Sequence, residues 1–378
     1  MLPYFRESFG NPHSADHTLG WKSSLAVEQA AAQVTGLIGA GPDEIIFTSG
    51  ATEANNMALL GLARRVRPVS RRRRFILSGI EHKCVLAAGR TISDQLGFPV
   101  EHLPVDQEGR VLLASLKHAL DDDVLAVSIM AVNNEIGTIQ DIQKISELVS
   151  KAGAVFHCDA AQAPISMDLR GIAEHVDMLS LSAHKMYGPK GIGALYIRRE
   201  FQDRLEPLIY GGGQQSGLRS GTVPTALCVG MGAAAELLSG DEAMQKRALL
   251  RQRRGRFLEK LSVLPWSVRL NGPSEESRHP GNANICFEGF FAQDILQMLQ
   301  PLLAASTGSA CTSGIPEPSH VLKATGLSPE DAEASIRFSL GFDTTDADID
   351  EAVNLIGNAL VKLSNNELYS DGVYRAVG

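Results

Sequence analysis

Five short apolar runs, each ending in a knot of polar side chains, constrain this chain more than any other feature. Glu44-Ile45-Ile46-Phe47 leads into Thr48-Ser49-Gly50-Ala51-Thr52-Glu53, and Phe75-Ile76-Leu77-Ser78 leads into Glu81-His82-Lys83. Leu125–Met130 leads into Asn133-Asn134-Glu135, Ala154–His157 into Asp159-Ala160-Ala161-Gln162, and Met178–Leu181 into Ser182-Ala183-His184-Lys185. Helical patterns fill the intervals, so the pattern predicts an α/β fold with a mainly parallel central sheet. Ligands of such sheets bind at the carboxyl ends of the strands. Five strands that end in polar groups therefore predict one shared site.

The 378 residues leave room for a second domain. Residues 1–240 are expected to form the large α/β domain and residues 241–378 a smaller α+β domain, because the composition changes after Gly240. A charged helical stretch follows from Asp241 to Leu261, carrying Arg251, Arg253, Arg254 and Arg256. The formal net charge of −8 gives no support to direct nucleic-acid binding. The basic run from Arg64 to Arg74 reads as a solvated helix end and loop.

Five widely spaced cysteines with no C-x-x-C pair argue against a disulfide framework or a structural zinc site, and no metal is expected. The first ten residues carry no apolar signal core, and no apolar run is long enough to span a membrane. A reducing, cytoplasmic setting without a membrane partner is the expectation. Cys84, Cys158, Cys228 and Cys286 lie in apolar or helical contexts and read as core residues. Cys311 differs, because Ala305-Ser306-Thr307-Gly308-Ser309-Ala310-Cys311-Thr312-Ser313-Gly314 surrounds it with small polar residues. Thiolate chemistry depends on such exposure.

Lys185, at a strand end beside a histidine and ahead of glycine turns, suits a Schiff base to an aldehyde cofactor. Lys190 is a rival inside the Gly/Pro turn. Asp159 ends a strand one strand-helix-strand excursion earlier, where it can pair with the ring nitrogen of pyridoxal phosphate or simply cap a helix. Gly50-Ala51-Thr52 opens a helix whose free N–H groups favour an anion, and Ser182 and His184 can add donors.

These residues bring the chain into register with a known family. From Phe9-Gly10-Asn11-Pro12 to about Leu363 it resembles the NifS/IscS-type cysteine desulfurases, class-V aminotransferase relatives with the fold-type I architecture of pyridoxal-phosphate enzymes. The most specific stretches are Thr48–Glu53, Val132–Gly137, Ser182–Gly191, Arg219-Ser220-Gly221-Thr222, Gly308–Cys311 and Ser335–Ser339. The resemblance implies that Lys185 attaches pyridoxal 5'-phosphate, His82 stacks on its ring as an acid/base, and Asp159 pairs with the pyridinium. Gln162 and Asn134 would surround the phenolic oxygen, while Ala51, Thr52, Ser182 and His184 hold the phosphate. Thr222 would reach the partner subunit's site in a homodimer, and Asn134 and Arg337 would bind the substrate, Arg337 at its carboxylate.

The implied reaction converts L-cysteine to L-alanine, with Cys311 taking the sulfur as a persulfide and passing it to an acceptor protein. Iron–sulfur cluster assembly, tRNA thiolation and sulfur modification of DNA would all use that donor. A selenocysteine lyase, another pyridoxal-phosphate lyase and an inactive partner-binding subunit are the alternatives. Family members normally carry a further segment, a strand and a Thr-rich loop, ahead of the Phe-Gly-Asn-Pro stretch. In this chain that segment is expected to have no counterpart.

Overall fold

All five apolar runs form strands of one seven-stranded sheet. In chain order its strands are β1 (Ile45–Thr48), β2 (Arg74–Ser78), β3 (Val100–Leu103), β4 (Val124–Ser128), β5 (Val155–Asp159), β6 (Met178–Ser182) and β7 (Gly193–Ile197), and they lie side by side as 1-7-6-5-4-2-3. The structure is a computed structural model that describes residues 1–67, 69–308 and 319–365. It divides into two units. The first holds Met1–Pro104, Val111–Val132 and Gln140–Met244; the second holds Val105–Arg110, Asn133–Ile139 and the chain from Gln245 onward.

In the first unit every residue of β1, β4, β5, β6 and β7 is buried, as expected for strands covered on both faces. β3 closes one edge and exposes Glu101 and His102, which blunts that edge against further pairing. β7 runs antiparallel to both β1 and β6, while the pairs β2/β3, β2/β4, β4/β5 and β5/β6 are parallel. The carboxyl ends of β1, β2, β4, β5 and β6 therefore share one edge of the sheet. The helix Ala51–Arg65 buries Ala54, Met57, Ala58 and Leu59 in a core with Phe75, Leu77, Val85 and Ile92. On the other side, the helices Thr18–Ile38 and Thr225–Ser239 pack closely enough that a Cβ on Gly232 would lie 2.8 Å from the Cα of Ala30.

Gly193, the first residue of β7, sits between Thr48 of β1 and Ser182 of β6. A Cβ there would fall 2.6 Å from the Cα of Gly50 and 2.5 Å from the carbonyl oxygen of Leu181. Only glycine lets these two strand ends close on one another.

The basic run is more structural than its sequence suggests. Arg72 donates to the carbonyls of Val124 and Ala152, Arg74 pairs with Asp123 and Glu101, and the Arg73 guanidinium lies 4.2 Å from the Phe98 ring centroid. Among the described residues, no helix is long and apolar enough to cross a membrane.

The second unit contains an antiparallel sheet of β8 (Val268–Leu270), β9 (Asn282–Phe287) and β10 (Ser335–Ser339), with β9 in the centre. Phe257, Leu261, Phe287, Ile295, Ile336, Phe338, Ile356 and Leu360 form its core. The charged helix spans Asp241–Ser262, and its Arg256 and Lys260 both meet Asp350 at 2.9 Å. Asn133–Ile139, which the sequence pattern attaches to the large domain, joins this unit instead. Arg278 donates to the Ile136 carbonyl at 2.8 Å, Asn282 and Asn284 donate to the Glu135 carbonyl, and Ile139 N–H bonds to the Ser277 carbonyl.

Candidate active site

The lysine turn is built by the end of β6. Ser182 closes the strand, and Ala183–Lys185 make a single 3₁₀ turn that leaves His184 and Lys185 exposed. The Ser182 hydroxyl lies 3.0 Å from Nδ1 of His184, so the two side chains form a joined donor pair. Burial, and then the charges of Lys185 and Lys190, hold the His184 imidazole below its usual range. The turn is closed by the N–H groups of Met186 and Gly188, both donating to the Ala183 carbonyl, and Tyr187 adopts a left-handed φ of 64°.

At the end of β1, Gly50 precedes the helix Ala51–Arg65 with a φ of 150°, and its Cα faces Ser182: a Cβ there would lie 3.8 Å from Ser182 Oγ. Ala51 and Thr52 are the first two residues of this helix. Glu53 turns away, accepting from Ser49 N–H at 2.7 Å and pairing with Arg219 at 2.8 Å. A helix start close to a serine, with a histidine and a lysine following it, is the kind of arrangement that suits an anion.

Asp159 lies at the end of β5 and is 3% exposed. Asn55 Nδ2 donates to its Oδ2 at 2.7 Å, and Ala161 N–H donates to Oδ1 at 2.9 Å. Burial raises the Asp159 pKa, against the pull of those donors and of the His82 charge. Glu81 is also buried; it accepts from Met130 N–H at 2.7 Å, and burial followed by the Asp159 charge pushes its carboxyl well above the usual range. His82 follows it, exposed, as the N-cap of the helix Lys83–Leu96. Gln162 caps the short helix Ala163–Ser166, half-buried, and Thr222 is exposed ahead of the helix Thr225–Ser239.

Two predicted residues meet in the second unit. Arg337, on β10, donates through Nη1 to the Asn134 carbonyl at 3.0 Å and through Nη2 to Ser306 Oγ at 3.1 Å. Its Nε is buried and has no partner among the described residues. Burial depresses the guanidinium pKa, and the neighbouring Glu135 charge opposes that effect. Glu135 in turn accepts a short hydrogen bond from the Ser319 hydroxyl. A guanidinium pairs readily with a carboxylate, the chemistry that the family resemblance implies for Arg337.

Cys311, the predicted sulfur carrier, lies outside the described residues. Three side chains escaped the sequence reading: Asn55, Cys84 and Ser306. Asn55 stands three residues after Thr52, on the same helical face, a spacing that could have flagged it. Cys84, read as core, is half-buried instead and reaches His82 and Asn55 because it occupies the first turn of its helix. Among the described residues no group of three or more His, Cys, Asp or Glu could hold a metal ion.

The first unit's residues fit pyridoxal phosphate. Its cradle suits a phosphate, and Asp159 is a buried acid whose hydrogen-bond donors are neutral amides, so that a ring cation would complete it. The Aminotransferase class-V family pattern matches residues 1–352. The chain is 45% identical over 365 residues to the cysteine desulfurase IscS of Rickettsia akari (strain Hartford), covering 96% of this chain and 87% of that protein. Among solved structures, a NifS-like protein superposes with a TM-score of 0.87 at 33% identity, covering 96% of this chain and 94% of the other. A structure described as SspA in complex with cysteine follows with a TM-score of 0.77 at 37% identity, covering 89% and 92%.

Proposed function

Because the chain belongs to the class-V aminotransferase family, we propose that it is a cysteine desulfurase, converting L-cysteine to L-alanine and retaining the sulfur on Cys311. The observation that carries this reading is the 45% identity to a cysteine desulfurase across 96% of the chain.

Pyridoxal phosphate, when bound, supplies an electron sink that weakens bonds around the substrate's α-carbon. Lys185 would hold it and would carry protons at the substrate's α-carbon and at the departing fragment. Ala51, Thr52, Ser182 and His184 hold the phosphate. Asp159 would pair with its ring nitrogen, His82 would stack on the ring, and Gln162 and Asn134 would hydrogen-bond its phenolic oxygen. Arg337 would bind the substrate carboxylate through its guanidinium. The Cys311 thiolate attacks the substrate sulfur: an S–S bond forms, the C–S bond breaks, and the electron pair passes to the carbon fragment, which gains a proton and leaves as L-alanine.

The enzyme then hands the sulfur to an acceptor protein. A homodimer in which Thr222 reaches the partner's phosphate completes the assembly, and a reducing cytoplasm suits a chemistry that depends on free thiols. The purified protein is expected to be yellow, with Lys185→Ala losing the absorbance of the lysine-bound cofactor. A colourless wild-type protein that no addition of pyridoxal phosphate can reconstitute would overturn the cofactor assignment.

A further inference from the structure

His82 is an unusual helix cap. The common N-caps are Ser, Thr, Asp and Asn, whose oxygens accept from the first free N–H groups. Here the imidazole does so: Nδ1 of His82 accepts from the Cys84 N–H at 3.2 Å. The Cys84 thiol stands beside the same atom, with Sγ 3.0 Å from Nδ1. On its other side Sγ receives a hydrogen bond from Asn55 Nδ2 at 3.3 Å, and that same amide donates to Asp159 Oδ2 at 2.7 Å.

The direction of each bond can be worked out. Asn55 Nδ2 can only donate, so the sulfur accepts from it. Burial pushes the Cys84 thiol up to about 11, so at neutral pH the sulfur keeps its proton. That proton has two acceptors within reach, Nδ1 of His82 and the Thr52 hydroxyl that also hydrogen-bonds the sulfur, and the first is available only if Nδ1 is bare. The Cys84 N–H sets the same condition, since a backbone amide cannot accept. The amide fixes Nδ1 as an acceptor, the thiol beside it can add a second donor, and the proton of the neutral ring belongs on Nε2.

We propose that Cys84 is a positioning residue: its thiol and amide together lock His82 in the Nε2–H tautomer, and Asn55 ties that lock to Asp159. The geometry stands on its own, while its use rests on the function proposed above, in which His82 covers the cofactor ring and Asp159 opposes its nitrogen. One hydrogen-bonded chain, Asp159–Asn55–Cys84–His82, then holds both groups in a common frame. His82 meets the site as a fixed Nε2–H donor rather than as a ring free to exchange tautomers.

Histidine side-chain ¹⁵N spectra of the full-length protein test this, with and without added pyridoxal phosphate. His82 is assigned by its loss in His82→Gln. The wild-type spectrum should show a bare Nδ1 and a protonated Nε2. Cys84→Ala, and Cys84→Val as a donorless variant of similar bulk, should raise the Nδ1–H form about fivefold, the worth of one lost hydrogen bond. Cys84→Ser, which keeps a hydroxyl donor, should restore the wild-type pattern. A donorless variant with wild-type tautomer populations, or a serine variant that behaves like alanine, would overturn the proposal. Alanine formation from L-cysteine, followed on the same samples, keeps the two readings apart. Its absence from wild type would strike the desulfurase reading and leave the tautomer result standing.

Discussion

The side-chain amide of Asn55 donates to Oδ2 of Asp159 at 2.7 Å, joining the helix that opens the phosphate cradle to the strand that ends in the buried acid. One bond therefore links the two elements to which the proposed function assigns the cofactor's phosphate and ring nitrogen. Asn55→Ala should remove a hydrogen bond to a charged acceptor, weakening pyridoxal-phosphate binding roughly tenfold or more. Fluorescence titration of the apoprotein with the cofactor measures it; unchanged affinity would remove Asn55 from the site.

Gly193 makes a sharper steric prediction. Gly193→Ala would place a methyl group 2.6 Å from the Cα of Gly50 and 2.5 Å from the Leu181 carbonyl, with backbone atoms that cannot swing aside. The variant should lose about 1–3 kcal/mol of stability and bind the cofactor more weakly, because the cradle must open to admit the methyl. Thermal unfolding with and without pyridoxal phosphate separates the two effects.

Arg337 is held by the Asn134 carbonyl and Ser306 Oγ, and its buried Nε has no partner among the described residues. Arg337→Lys keeps the charge and loses the planar fork, so the KM for L-cysteine should rise roughly 10- to 100-fold while the cofactor spectrum stays unchanged. An unaltered KM would show that the substrate carboxylate binds elsewhere.

Glu81 predicts a pH dependence. Its ordinary pKa is 4.5, and burial raises it well above that in the folded protein. Below the ordinary value both folded and unfolded chains hold the proton, and the stability it contributes is fully present. As pH rises through the folded value that stability is lost, because the unfolded chain ionises freely and the buried carboxyl does not. Glu81→Gln keeps the acceptor for Met130 N–H and does not ionise. Between about pH 5 and about pH 8 the variant should therefore gain thermal stability relative to wild type. Parallel melting curves would contradict this.

The strands and their polar ends were legible because each carries its information locally. An apolar run names the strand, and the polar residues just past it, among them Lys185, Asp159, His82 and the Gly50 turn, stand at or just past the strand ends as the pattern requires. Cys84 was misread because a cysteine after a histidine looks like core until the helix start turns its sulfur toward Nδ1. The allegiance of Asn133–Ile139 was hidden for another reason. It depends on Arg278, Asn282 and Asn284, more than a hundred residues away, whose side chains hold this segment by its carbonyls. The Glu135–Ser319 and Arg337–Ser306 contacts are likewise products of tertiary structure and leave no local pattern.

The central claim is that Lys185 and its cofactor loosen the sulfur of L-cysteine and Cys311 takes it. The most direct test incubates the pure protein with L-cysteine in the absence of reductant and counts alanine and protein-bound persulfide in one turnover, alongside Cys311→Ser. The account predicts one alanine and one persulfide per active site in wild type, with the persulfide mapped to Cys311. In Cys311→Ser it predicts a changed cofactor spectrum with neither product. Alanine formed at the wild-type rate by Cys311→Ser, or a persulfide found on another cysteine, would contradict it.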